Sequence, residues 1–303
     1  MIFTVFGRAA DLKVKNIIQL TKLDDGIYYY PRFSPDNGKI FFTRSNFIGL
    51  LFYDLKQKNI IELNDDPGAG YQPVFTSDGE SVFYRTYNYV NRRKYSSIVE
   101  QNIAGGQKKM IINNKRNLTP PQLTASGNLL LLDNSAIEQI SVLSGKKNVT
   151  TVDAADDHPV AFIENTDIAL VHKGVKKILE PVGAGNYIWP SVSPDGSRLL
   201  FTKVGEGTYI TDLNGENMLN LGMANAPKWS PDGNWIVYMV DKDDGHVMLE
   251  SDIYAVKADG GQMIKLTNTD DRIEMYPSWS GDMTQIVFST DRGEIFLMEL
   301  EIE

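Results

Sequence analysis

A repeated segment is the feature that most limits the folds open to this 303-residue chain. Five clear copies each start with proline and place an aspartate five residues later: PRFSPDNGKIFF from Pro31, PVFTSDGESVFY from Pro73, PSVSPDGSRLLF from Pro190, PKWSPDGNWIVY from Pro227 and PSWSGDMTQIVF from Pro277. Two weaker copies start at Pro121 and Pro159, and in all seven copies the ninth and eleventh residues after the proline are apolar. Repetition on this scale indicates a ring or an array of similar units.

Each copy has the pattern of an antiparallel hairpin. Ser-Pro-Asp-Gly suits a type I turn, and the apolar residues after it alternate as in a strand with one buried face. Two further strands follow within a unit, for example around Tyr209–Leu213 and Met218–Leu221. Four short strands repeated radially make a β-propeller, which closes on itself and so protects its sheet edges. The sequence therefore predicts an all-β fold, a single seven-bladed β-propeller, with six blades as the alternative.

The two ends of the chain are expected to complete the last blade together. The last unit supplies three strands, and the missing fourth is predicted from Asn16 to Thr21, whose pattern matches that of Ile264–Thr267. Residues 16–303 are therefore assigned to the propeller and residues 1–15 to an N-terminal leader. The fourth unit is the shortest, with 31 residues from Pro159 to Pro190, and is expected to form a degenerate blade of three strands.

Composition excludes several kinds of chemistry. The chain has no cysteine, which rules out disulfides, thiolate metal sites and a cysteine nucleophile. Its 30 basic and 39 acidic side chains give a net charge of −9, which disfavours nucleic acid and anionic membranes as partners. The apolar runs, such as Leu129 to Leu132, are far shorter than the roughly 18 residues of a membrane helix. We expect a monomer without a cofactor, a nucleic-acid partner or membrane insertion.

The repeat, Pro-x-aromatic-Ser-Pro-Asp-Gly-x-x-Ile-x-Phe, resembles the WD-like repeat of the TolB-type propeller superfamily and covers nearly the whole chain from Asn16. It is also similar to repeats in the propellers of prolyl oligopeptidase and dipeptidyl peptidase relatives and of oligogalacturonate lyase. The resemblance implies the propeller fold, and it favours the periplasm or cell envelope of a bacterium. It implies no particular activity, because one fold hosts many functions.

Two departures argue against the enzymes that share this repeat. The peptidases carry a Gly-x-Ser-x-Gly nucleophile elbow, and that pattern is absent from the sequence. The oligogalacturonate lyases resemble histidine-rich metal propellers, whereas this chain has three widely spread histidines, His158, His172 and His246. Asp157 and His158 could act as a general base and the group that orients it. They are adjacent, however, so on a strand they would point to opposite faces. No catalytic residue is assigned.

The candidate binding site is the face on which the chain passes from one blade to the next, around the mouth of the central channel. The residues that precede the seven prolines are expected to form a ring there: Tyr30, Gln72, Pro120, His158, Trp189, Ala226 and Tyr276. Aromatic faces with a few polar groups suit a glycan or a peptide. The alternative is that these aromatic side chains only pack the joints between blades.

Two long loops between second and third strands are also candidates. The loop of the second unit, Thr86–Tyr95, interleaves aromatic and basic side chains, among them Tyr87, Arg92 and Arg93, and would suit an anionic partner. The loop of the sixth unit, Asp241–Asp252, is acidic, but its spacing is not that of a calcium-binding EF-hand. The simpler interpretation of both is a solvated hairpin.

The repeated aspartates of the turns are expected to bond their own backbone.

These observations favour a non-enzymatic binding or scaffold propeller that engages a protein or a glycan through the face carrying the residues before the prolines. One alternative is a lyase or hydrolase acting on a carbohydrate or a peptide at the channel mouth, with His158 and nearby carboxylates as its chemistry. Another is an accessory propeller of a separately encoded peptidase.

Overall fold

The computed structural model describes residues 12–124, 126–141, 158–245 and 247–302. These residues form seven antiparallel sheets, arranged as the blades of a propeller, and two short 3₁₀ turns. Neither turn is long or apolar enough to cross a membrane. The predicted all-β, seven-bladed fold is confirmed, and the six-bladed alternative is wrong.

The strands of each blade follow the chain from the channel outward, except that the outermost strand of blade 7 is N-terminal. In chain order they are β1 Leu12–Gln19; blade 1, β2 Tyr29–Phe33, β3 Lys39–Thr43, β4 Ile48–Asp54 and β5 Asn59–Pro67; blade 2, β6 Val74–Phe75, β7 Ser81–Val90, β8 Arg93–Asn102 and β9 Lys108–Lys115; blade 3, β10 Gln122–Leu123, β11 Leu129–Asp133 and β12 Ala136–Ile140; blade 4, β13 Val160–Glu164, β14 Asp167–His172 and β15 Val175–Leu179; blade 5, β16 Tyr187–Val192, β17 Arg198–Lys203, β18 Gly207–Asp212 and β19 Leu219–Gly222; blade 6, β20 Asn225–Trp229, β21 Trp235–Asp243, β22 Met248–Lys257 and β23 Met263–Lys265; and blade 7, β24 Glu274–Trp279, β25 Gln285–Thr290 and β26 Ile295–Ile302, with β1 beside β26.

The ring is closed by pairing the N-terminal strand with the C-terminal one, as predicted. β1 pairs with β26 from Leu12↔Ile302 to Gln19↔Phe296. The Thr21 hydroxyl then accepts a hydrogen bond from the Ile295 amide at 2.9 Å. β1 begins at Leu12, so the closing strand takes in four residues that the sequence assigned to the leader.

The core lies between neighbouring blades. In blade 1, Ile40, Phe41 and Phe42 are all buried, although the alternating pattern predicts only one buried face. The reason is that a middle strand of a blade is covered on both faces, by the preceding and the following blade. Phe41, for example, meets Phe75 of blade 2 at 4.5 Å between ring centroids.

The repeated aspartates hold the turns, as predicted. In the first turn the Ser34 hydroxyl donates to Asp36 Oδ1 at 2.5 Å, and the Gly38 amide donates to the same oxygen at 3.0 Å. The same bonds recur in four other turns, those of Asp78, Asp195, Asp232 and Asp282. Donors to the charged carboxylate lower the pKa of Asp195 to about 2. These groups are structural.

Blade 4 has three strands, as predicted, but its first strand runs in the opposite direction to those of the other blades. The residue before β13, His158, lies beside the Ser-Pro-Asp-Gly turn of blade 5, with its Nε2 3.2 Å from Ser193 O. The turn after β13 lies beside the start of blade 5, because the Tyr187 amide donates to Thr166 O at 2.8 Å. Pro159 consequently starts its strand at the opposite face of the propeller.

A β-bulge interrupts the innermost strand at the residue before proline in several blades. Tyr29 pairs with Thr43 and Arg32 with Phe41, so Tyr30 and Pro31 together face one residue of β3. The residue before proline adopts a left-handed conformation in five blades, with φ between 48° and 56°: Tyr30, Gln72, Trp189, Ala226 and Tyr276. Non-glycine residues rarely adopt this conformation, which costs of order 1 kcal/mol or more and often marks functional sites.

Replacing one of these residues by glycine tests the free-energy cost of the left-handed conformation. We expect Ala226→Gly to change the free energy of unfolding by less than about 0.5 kcal/mol, because relief of the left-handed strain offsets the added chain entropy. Ala255→Gly, at an equally buried position in the regular strand β22, is the matched control and should cost about 1 kcal/mol or more. Urea unfolding of both variants measures the difference, and equal losses would contradict the interpretation.

Candidate functional site

A pocket of about 340 Å³ lies at the mouth of the central channel, on the face that carries the connections between blades, here called the mouth face. Five residues of the predicted ring line it: Tyr30, Gln72, Trp189, Ala226 and Tyr276. They come from blades 1, 2, 5, 6 and 7, because each precedes the proline at which its innermost strand starts down the channel. The tertiary structure thus brings together five of the seven predicted ring residues.

Four of the five aromatic side chains that line the pocket contact one another in a continuous row. The ring centroids of Tyr30 and Tyr276 are 4.0 Å apart, those of Tyr30 and Phe47 are 4.6 Å apart, and Phe47 meets Tyr71 edge to face at 4.9 Å. Burial and the neighbouring Tyr276 raise the pKa of Tyr30 well above its usual value, so its hydroxyl stays neutral and can donate a hydrogen bond.

The same rings also pack the joints between blades. Tyr276 and Trp189 contact the apolar cluster of blades 6 and 7, yet both remain half-buried and line the pocket. These two side chains thus pack the joints between blades, and they also line the pocket.

The other two members of the predicted ring lie elsewhere. Pro120 lines a neighbouring cavity of about 670 Å³, which it shares with Gln72 and Trp189. The placement of His158 in the ring is wrong, because β13 runs the other way. Its Nδ1 lies 3.0 Å from Pro159 O and its Nε2 lies 3.2 Å from Ser193 O, in the turn of blade 5 on the face opposite the mouth.

The basic hairpin of blade 2 borders the larger cavity, but not through Tyr87, Arg92 or Arg93. Arg85 and Lys94 line that cavity, together with Arg116 from the following connection. Tyr87 is covered by Lys94, whose Nζ lies 4.0 Å from its ring centroid. Arg92 lies in the exposed turn between β7 and β8, and Arg93 is the exposed first residue of β8. Neither lines any of the cavities described here.

The acidic loop of blade 6 is held by ion pairs and hydrogen bonds. Lys242 and Glu250 pair across the hairpin at 2.6 Å, and the Asn225 amide donates to the Asp241 carboxylate. In the described part of the chain, no three histidine, aspartate or glutamate side chains are grouped so that they could hold a metal ion. His246 lies outside that part, and His172 ends β14 on the face opposite the mouth.

The floor of the mouth pocket is cationic. Arg32 and Lys228 each follow one of the repeat prolines, and both line the mouth pocket and a deeper cavity of about 250 Å³ in the channel. Arg32 Nη1 donates to Pro73 O at 2.8 Å. The Lys228 ammonium has no ion-pair or hydrogen-bond partner among the described residues. Enclosure in the channel, together with the nearby Arg32 charge, lowers the pKa of Lys228 to about 8.

Sequence reasoning missed these two cations, although a signal for them exists. The residues directly after the seven prolines are Arg32, Val74, Gln122, Val160, Ser191, Lys228 and Ser278. A charge at this position of an innermost strand has to lie in the channel, and the two units that carry one stand out from the other five.

A match to a family model supports the propeller fold. Residues 182–301 match the family model of the TolB beta propeller domain, which confirms the resemblance predicted from the repeats. An oligogalacturonate lyase solved in complex with manganese is similar at 15% identity and a TM-score of 0.49, over 93% of this chain and 79% of the lyase. TolB from Acinetobacter baumannii is similar at 14% identity and a TM-score of 0.47, over 91% of this chain and 56% of that protein. An oligogalacturonate lyase from Vibrio parahaemolyticus is similar at 14% identity and a TM-score of 0.48, over 93% and 80% of the two chains. No curated protein matches the chain.

Proposed function

We propose that this protein is a binding propeller that holds a peptide segment of a partner protein in the mouth pocket. The observation that carries the proposal is the pocket itself, in which aromatic side chains from separate blades surround a concave, partly apolar site. Such sites are the usual place for ligands in proteins, and aromatic anchors dominate the energy of many protein interfaces. We also propose a location in the bacterial envelope, on the resemblance of the repeats alone.

The distribution of exposed apolar side chains favours a protein partner over a glycan. Most large apolar residues that are exposed in the described part of the chain belong to loops of the mouth face: Leu23, Ile27, Ile48, Tyr71, Tyr89, Val90, Val204, Met223, Val247 and Leu249. The opposite face exposes only Val175, Met218 and Met263 among the described residues of this kind. A concentration of apolar side chains on one face is typical of a protein interaction surface.

A selection with a matched control tests the proposal. A random dodecapeptide library displayed on phage is selected on the immobilised protein, and enriched peptides are titrated against purified variants. We expect Trp189→Ala and Tyr71→Ala to weaken binding at least about tenfold, as is usual for an aromatic anchor. Met263→Ala, on the opposite face, should leave binding unchanged.

Three outcomes would contradict the proposal. One is that no peptide is enriched. A second is that the enriched peptides bind the mouth variants as tightly as they bind the unchanged protein. The third is that an oligosaccharide array yields a glycan whose binding depends on Trp189 and Tyr71, while the binding of no peptide depends on them. That result would favour the glycan alternative.

A further inference from the structure

Two cations lie close together in the central channel without a carboxylate to balance them. Arg32 of blade 1 and Lys228 of blade 6 line the same 250 Å³ cavity, and the positive charge of Arg32 acts directly on Lys228. The single polar contact of the Arg32 guanidinium among the described residues is the neutral carbonyl of Pro73, so most of its donors remain available. No acidic side chain of the described residues lines this cavity, and His158 is the one further titratable side chain in its lining.

Such an arrangement is unfavourable for the protein on its own. Removing a charge from bulk water costs free energy that an opposite charge normally offsets, and here the nearest charge has the same sign. The Lys228 side chain is exposed, but within a channel whose walls are the blades. Two cations placed this close together without a carboxylate favour the binding of an anion.

Polar groups around the two cations support this. Ser191 lines the same cavity, and its buried hydroxyl has no hydrogen-bond partner among the described residues. The amide side chains of Gln72 and Gln122 line the cavity as well. A buried hydroxyl without a partner is rare, and a bound polar ligand would satisfy it.

We propose that Arg32, Lys228 and Ser191 form a binding site for one carboxylate group, carried by the peptide that occupies the mouth pocket. This rests on the proposed function, and it specifies that the peptide is acidic. Arg32, Gln72 and Lys228 line both the mouth pocket and the deeper cavity, so a ligand held by the aromatic rings reaches the cations directly. The carboxylate accepts hydrogen bonds from the guanidinium, the ammonium and the Ser191 hydroxyl, which are charge-assisted and therefore strong.

The site is tested first with a small probe that needs no peptide partner. Thermal unfolding and NMR titration are followed with acetyl-Glu-amide and with its neutral counterpart acetyl-Gln-amide, at constant ionic strength set with chloride. We expect only the acid to bind, and we expect Lys228→Met and Arg32→Met each to weaken its binding at least about tenfold. Lys56→Met, which removes an exposed lysine far from the channel, should have no effect. Binding should weaken as the pH rises through about 8, where Lys228 loses its charge.

The outcomes separate this inference from the proposed function. Equal binding of the acid and the amide, or binding that survives Lys228→Met and Arg32→Met, would overturn the carboxylate site. Inorganic phosphate binding more tightly than acetyl-Glu-amide would overturn the assignment to a carboxylate. Selected peptides that bind Lys228→Met as tightly as the unchanged protein would leave the peptide-binding function standing and remove the channel site. If the acid binds the channel while no peptide binds the mouth, the carboxylate site would stand and the peptide-binding function would be removed.

Discussion

Replacing Leu12 by aspartate is expected to destabilise the whole propeller by about 3 kcal/mol, the cost of forcing an unpaired charge into an apolar contact. Leu12 is 5% exposed and belongs to the apolar cluster that joins blades 6 and 7. β1 is also the strand that closes the ring, so its loss would leave the long edge of β26 without its backbone partners. The effect should therefore be a lower midpoint of global unfolding and not a local opening.

The control for this prediction is Ile18→Asp in the same strand. Ile18 is 37% exposed, so its replacement should shift stability by about 0.5 kcal/mol or little more. Urea unfolding followed by tryptophan fluorescence and by circular dichroism compares the two variants. Equal effects of the two changes, or a Leu12→Asp variant as stable as the unchanged protein, would mean that the segment around Leu12 does not close the ring.

Replacing Lys228 by methionine is expected to make the protein more stable at pH 7. The channel lowers the pKa of Lys228 from 10.5 to about 8, so the charged form is disfavoured in the folded state. A shift of this size corresponds to a few kcal/mol, and with a discount for the exposure of this side chain to channel water we expect a gain of about 1–2 kcal/mol. Loss of ligand binding with a gain in stability is the pattern expected of a functional group.

The stability gain from Lys228→Met should depend on pH, in a direction set by the lowered pKa of Lys228. Between about pH 8 and 10.5 the unfolded chain binds more protons at Lys228 than the folded protein, so the stability of the unchanged protein rises with pH in that range. The gain from Lys228→Met should therefore be full below pH 8 and should vanish towards pH 10.5. Lys56→Met is the control and should show neither effect. A Lys228→Met variant that is less stable at pH 7 would contradict the unbalanced charge.

The sequence predicts the fold well because the repeat combines two independent signals. The turn residues around Asp36 and its four equivalents specify where each hairpin reverses, through bonds that involve only neighbours in the chain. The apolar residues nine and eleven positions after each proline specify which strand is buried between blades, as with Ile40 and Phe42. Both signals are local, so they can be recognised without a structure.

Blade 4 shows where local signals are not enough. Pro159 and the apolar residues after it align with the other units, yet β13 runs in the opposite direction and His158 lies on the far face. Apolar spacing with a period of two is the same in either direction along a strand, so it does not specify polarity. Direction depends on the face from which the chain approaches the blade, which is a property of the neighbouring blades.

The repeat by itself determined the all-β class, the number of blades, the closure by the N-terminal strand and five of the residues at the channel mouth. Only the tertiary structure decided which side chains share the channel, because Arg32 and Lys228 are nearly two hundred residues apart and meet solely through the ring. It also decided the left-handed conformation before the prolines, which comes from bulges that the sequence pattern does not encode. Hairpins and buried strands follow from interactions between near neighbours in the chain, whereas the chemistry of the channel depends on long-range closure.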